Sequence, residues 1–221
     1  MTYVFQFGIV WDHWPRLLDG AWLTLRMSGA ALAIGLVLSV LLAFGRRDGP
    51  RWVRLLIGGY VEVIRNTPFL VQLFILYFSL PGLGLRLDAA EAALIGMAMN
   101  FAGYGSEIVR SGIQSVSKGQ WEAARALGLA PGRIMRLVIL PQALRVIIPP
   151  LTSQFLNLTK NSSLAVVIGY PDLVSVANTS INQTGQAVEV ILIFMAVYLA
   201  LSLITSGLMN VYNRAVALKE R

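Results

Sequence analysis

Five long apolar stretches leave this chain few folds to choose from. Residues 21–44, 55–80, 89–109, 146–169 and 188–212 each run for more than twenty residues with few charges. A bilayer core about 30 Å thick takes roughly 20 such residues per helix. A water-soluble globule of 221 residues lacks the interior to hide five of them. Only 13% of the residues are charged, against about 25% in a soluble domain. The pattern predicts an all-α integral membrane protein, a single domain over residues 1–221 with five transmembrane helices. The first run lies too far in, and is too long, for a cleaved leader.

The basic residues predict an orientation. The connections 45–54 and 110–145 and the tail after 212 hold thirteen of the eighteen Lys and Arg residues, whereas 1–20, 81–88 and 170–187 hold Arg16 and Arg86 alone. Lys and Arg concentrate on the cytoplasmic side. The N-terminus is therefore expected outside and the C-terminus inside. The net charge of +7 then reports topology, and no nucleic-acid partner is expected, because no basic domain stands apart from the spans.

Local signals fill in the connections. Residues 9–20, with Trp11 and Trp14, read as an interfacial helix before the first span. In the 110–145 loop, Ser117 and Gln120 have the spacing of a capping box. Gly128 suits a helix C-cap, and Pro131 opens a second short helix expected to end before Leu140-Pro141. The loop is thus two short helices with a sharp bend. Its apolar residues pack on the chain's own spans or meet a partner.

The residues of that loop also carry a resemblance. Glu122-Ala123-Ala124, three residues, Gly128, nine residues, then Val138-Ile139-Leu140-Pro141 is similar to the coupling loop of ATP-binding-cassette importer permeases, with Val138 where Ile is usual. Three further strings resemble signatures of the polar amino acid branch: Tyr60–Leu73 (YVEVIRNTPFLVQL), Arg110–Val116 (RSGIQSV) and Lys160–Leu164 (KNSSL). The resemblance covers almost the whole chain. It implies a multi-pass permease of the bacterial cytoplasmic membrane that pairs with a second permease chain, identical or related. It also implies a cytoplasmic ATP-binding subunit dimer, which binds ATP and magnesium, and an extracytoplasmic amino acid binding protein. This chain has no GxxxxGK[ST] phosphate loop, so no cofactor and no hydrolysis are expected in it. The resemblance assigns ATPase coupling to Glu122, Ala123, Ala124, Gly128, Leu140 and Pro141.

Polar groups inside spans mark the expected substrate path. Gln154, Asn157 and Asn161 recur at helical spacing, with Lys160 and Ser162 beside them and Asn100 in the third span. The pair Pro149-Pro150 and the cluster Lys160–Ser163 predict an interrupted helix. Glu62 is expected to pair with Arg65, and Glu107 with Arg110. Many relatives carry an acidic residue at the place of neutral Asn161. The path here therefore suits acidic amino acids, glutamate or aspartate, with glutamine and asparagine next. An ion-coupled secondary transporter is the competing class. A catalytic or metal site is not expected: there is one histidine and no cysteine.

Overall fold

The computed structural model describes residues 4–216, and among them every regular element is helical. Lys219 and Arg221 of the basic tail lie outside the described residues. After a single turn, α1 (Phe7–Trp11), the chain enters α2 (Trp14–Asp48), 35 residues long. The expected interfacial helix over 9–20 is therefore split, its second half forming the first turns of the first long helix. Pro15 explains the continuity, because its missing N–H falls in the first turn, where no intrahelical partner exists. Gly49-Pro50, both extended, end α2 and start α3 (Arg51–Asn66).

α3 stops at Thr67, whose φ of −114° and ψ of 138° are extended, as the residue before a proline prefers. The chain resumes as α4 (Phe69–Phe74), continued by a π turn at Ile75–Ser79 and a 3-10 turn at Leu80–Leu83. The chain bends by 111° between the two limbs. The run 55–80 is thus a broken element, bent at Pro68, and not a straight crossing.

α5 (Ala89–Gln114) is the central helix, flanked by α2, α3 and α8. Its N-terminus carries a reciprocal capping box: Glu91 N–H donates to Asp88 Oδ1 at 2.8 Å, and Asp88 N–H donates to Glu91 Oε2 at 2.9 Å. Small residues let its neighbours close in. A Cβ at Gly105 would collide with Ser39 of α2, and one at Gly112 with Ile147 of α8.

Next come α6 (Lys118–Ala126) and a continuous helical run from Pro131 to Ile168. That run comprises α7 (Pro131–Ile134), a π turn (Met135–Ile139), α8 (Leu140–Asn161) and a 3-10 stretch (Ser162–Ile168). Two expectations are corrected here. The helix does not end before Leu140-Pro141; the preceding π turn already widens the ladder, so the missing N–H of Pro141 breaks nothing further. Nor do Pro149-Pro150 interrupt it; both lie inside α8. At Lys160–Ser163 the helix tightens to 3-10 instead of unwinding. Finally, α9 (Leu173–Thr184) caps the start of α2, its Leu173 N–H donating to Thr24 Oγ1 at 3.2 Å, and α10 (Ala187–Val216) flanks α8 and α9.

Among the described residues, Trp14–Asp48, Pro131–Ile168 and Ala187–Gly207 are each long and apolar enough to cross a membrane, and the bent pair Arg51–Asn66 with Phe69–Leu83 makes a fourth. The expected third span, 89–109, is long enough but less apolar. The packing accounts for that: α5 turns Ala92, Gly96, Asn100, Gly103 and Ser106 into other helices, where lipid does not set the composition. Two apolar cores stack along it. One, toward the α9 end, centres on Met97, Phe101 and Leu158; the other, toward the α6 end, on Ile113, Ile139 and Ile147.

Candidate functional site

Two regions meet the sequence-based expectations: the α6 end, and the face of α8. At the α6 end, the chain itself holds the projecting helix. Ala124 is buried, and it joins the core of Val109, Ile113, Val116 and Ile134, with Trp121 against it. The guanidinium of Arg47, at the end of α2, lies 5.1 Å from the centre of the Trp121 ring, within cation–π range. Beneath it, Arg46 donates to Glu107 at 2.9 Å, and Arg110 binds the same carboxylate. The expected Glu107–Arg110 pair is present, and Arg46 extends it into a triad that bridges α2 and α5.

The other face of α6 is open. Glu122 and Ala123 are exposed, and Leu127 keeps 80% of its surface. Gly128 ends the helix in the left-handed region at φ +73°. Gly128 N–H donates to Arg125 O at 2.9 Å and Leu129 N–H to Ala124 O at 3.2 Å. This is the Schellman arrangement, and it satisfies carbonyls left over at the helix end. The Ser117 side chain, by contrast, makes no capping bond, so the expected capping box is not formed. Leu140 is half-buried and Pro141 exposed, both within the continuous helix.

The α8 residues divide by burial. Gln154 and Ser162 are buried, and Ser162 Oγ donates to Thr159 O at 2.7 Å. Asn161 is half-buried. Ser153, Asn157 and Lys160 form an exposed ridge at spacings of four and three residues. Lys160 also lines a cavity of about 400 Å³ against Phe194 and Tyr198 of α10. A polar ridge at membrane depth is unsuited to lipid and fits a partner helix or a water-filled path.

Asn100 sits apart from that ridge. It is buried and donates from Nδ2 to Gln72 Oε1 at 3.1 Å. Gln72 in turn donates from Nε2 to Ile64 O at 2.8 Å and Thr67 O at 3.0 Å. These carbonyls belong to the break at Pro68, so Asn100 closes the polar accounts of the bend. The expected Glu62–Arg65 pair is absent. Glu62 Oε2 accepts from Asn66 Nδ2 at 3.0 Å, and Arg65 lies over the Tyr104 ring at 5.7 Å. Four further residues with clear roles, Arg46, Arg47, Gln72 and Trp121, escaped the sequence reading. Gln72 lay inside a recognised string, but its partner is 28 positions away and carries no local signal.

Comparison with known proteins agrees with this geometry. Residues 35–218 match the family described as binding-protein-dependent transport system inner membrane component. The glutamate/glutamine/aspartate/asparagine transport system permease protein BztB of Rhodobacter capsulatus is 57% identical over 61% of this chain and 32% of its own length. The chain thus spans about a third of that relative. The probable glutamine ABC transporter permease protein GlnM of Bacillus subtilis is 40% identical over 89% of this chain and 91% of its own. The crystal structure of an amino acid ABC transporter with histidines superposes with a TM-score of 0.91 at 34% identity, covering 96% of this chain and all of that one. By sequence over most of its length and by fold, this chain belongs to the binding-protein-dependent transport system inner membrane component family.

Proposed function

We propose that this chain is the permease subunit of an ATP-binding-cassette importer for polar amino acids, and that it carries glutamate and aspartate. The open face of α6 carries the proposal. Glu122, Ala123 and Leu127 are exposed on a helix whose opposite side is fixed by Ala124 and Trp121. Such a helix can transmit a push without deforming. A cytoplasmic ATPase dimer, which binds ATP and magnesium, seats this face. Closure of the dimer then rocks α2, α5 and α8 as a rigid body between two states. Hydrolysis occurs in that partner, and this chain supplies the gated path.

The α6 end is cytoplasmic in this reading and the α9 end external, where a binding protein delivers the amino acid. Two permease chains, identical or related, face each other across the ridge of Ser153, Asn157 and Lys160. Gln154, Asn161 and Ser162 lie beside the ridge. Lys160 favours an anionic cargo, and the name of BztB includes glutamate and aspartate beside their amides. Glutamine is the second reading, favoured by the likeness to GlnM along nearly its whole length.

The test is ATP hydrolysis by the reconstituted importer with its binding protein, across a panel of amino acids. Stimulation is expected to be largest with glutamate or aspartate and to require residues 120–141. Faster uptake of arginine than of glutamate would overturn the substrate assignment. ATP-independent uptake would overturn the class.

A further inference from the structure

One cavity, lined by no residue of α6 or of the α8 ridge, combines a cation, a carboxylate and an apolar floor. It has a volume of about 430 Å³ and is lined by Arg26, Glu91 and Tyr170 together with Leu23, Met27 and Leu94. It lies between α2 and the start of α5, toward the α9 end.

Its depth in the membrane follows from α2 itself. Residues 27–45 hold no charged side chain, and Arg26 and Arg46 bracket them. The separation of twenty residues along one helix is about 30 Å at 1.5 Å per residue, the thickness of a hydrocarbon core. Arg46 ends one side in its triad with Glu107. Arg26 therefore sits at the opposite headgroup boundary, and Trp22, one turn further out, is 65% exposed, as a residue of the aromatic belt is. Arg26 is exposed and makes no ion pair among the described residues. Its charge reaches the Tyr170 hydroxyl, which burial and Asp172 push up and Arg26 pulls down.

We propose that this cavity binds the headgroup of an ethanolamine phospholipid, with Arg26 on the phosphate and Glu91 on the ammonium. Glu91 has the oxygen to do so: Oε2 accepts from Asp88 N–H, which leaves Oε1. Asp88 adds a second negative charge at the same helix start, so the site favours a zwitterionic headgroup over an anionic one, and a primary ammonium can donate to Glu91 Oε1 where a choline, with no N–H, cannot. The acyl chains also have a place. Ala30, Ile34, Val37 and Leu41 continue from Arg26 down α2 at spacings of four and three, all exposed. A free amino acid offers the same two charges but has no use for that apolar ridge.

The experiment is native mass spectrometry of the membrane-extracted importer, reading lipid retained on this chain. The protein is incubated with equal amounts of phosphatidylethanolamine, phosphatidylcholine and phosphatidylglycerol of one chain length. Ethanolamine lipid is expected to be retained about tenfold over the other two, a difference of about 1.4 kcal/mol. Glu91→Gln keeps an acceptor for the capping box and removes the charge, so the preference should collapse to parity. Arg26→Gln should lower retention of all three, and Arg26→Lys should restore it. Equal retention of the three headgroups by the unaltered protein, unchanged preference in Glu91→Gln, or release of the lipid by millimolar glutamate would each overturn the proposal. The headgroup comparison needs no variant, so a poorly folded Arg26→Gln protein leaves the test intact.

Discussion

Asn100 and Gln72 meet at 3.1 Å in the middle of the molecule and hold the bend at Pro68. Pro68 and the extended Thr67 release the carbonyls of Ile64 and Thr67 from helical bonding. Carbonyls released in this way need other donors. The Gln72 amide caps both carbonyls, and Asn100 fixes the amide from the other side.

Gln72→Leu is expected to be more damaging than Asn100→Leu. The first leaves two carbonyls and a buried amide without partners, at about 1–3 kcal/mol each. The second leaves only the Gln72 oxygen. Thermal unfolding of the detergent-solubilised protein, followed by tryptophan fluorescence, compares them. An Asn100→Leu protein less stable than Gln72→Leu would refute this account of the bend.

Much of this fold is legible in sequence because lipid writes its demands locally. The long apolar runs at 21–44 and 188–212 need only residue type and length, and the structure makes both helical. Gly128 carries its own signal too, a glycine after an amphipathic turn. What escaped reading is non-local. Arg46 meets Glu107, and Arg47 meets Trp121, across separations that no helical period reports. The spacing of Glu62 and Arg65 suggested a pair, but Tyr104 and Asn66 offered each a better partner. The prolines of α8 show the same limit. A proline removes one helical hydrogen bond, and beside Pro141 the preceding π turn has already opened the ladder, whereas Pro149-Pro150 lie inside α8 with no such turn next to them.

The triad Arg46–Glu107–Arg110 should behave as a unit. Its side chains are 22–27% exposed, so solvent screens them only in part. Glu107→Ala leaves two guanidinium groups facing each other. A double-mutant cycle between Arg46→Ala and Glu107→Ala should return a coupling of roughly 1 kcal/mol, shrinking as salt is raised. Additive effects would show that the contact is incidental.

Gly128 is the strictest residue of the α6 end by backbone alone. At φ +73°, an ordinary L-residue costs about 1–2 kcal/mol, and asparagine is the most tolerant replacement. No neighbour would meet an added Cβ, so strain, not collision, sets the outcome. Gly128→Asn should keep transport coupled to ATP hydrolysis. Gly128→Val should insert normally and lose coupling, as should Gly128→Asp, which adds a charge at the proposed ATPase contact. Substrate-stimulated ATPase activity measures all three. Full coupling in Gly128→Val would exclude the turn from the mechanism.

Asp172 gives the chain a pH dependence of defined sign. It lies outside the spans, at the N-cap of α9, with Oδ1 accepting from Ser175 N–H at 2.9 Å. It is fully buried, and Oδ2 has no partner among the described residues. Burial pushes its carboxyl up from 3.8 to about 6, against the pull of the backbone N–H groups of Ser175 and Val174. Below pH 3.8 the folded and unfolded states are both protonated, and the contribution to stability is complete. Between pH 3.8 and about 6 the unfolded chain ionises first, so stability falls as pH rises. Above about 6 both states are ionised and the loss is constant, on the order of 3 kcal/mol. Asp172→Asn keeps a capping acceptor and cannot ionise. The difference in melting temperature between Asp172→Asn and the unaltered protein should therefore grow from pH 4 to pH 6 and then level off. A difference that is flat over that window, or that shrinks, would mean that Asp172 is paired or hydrated in the folded protein.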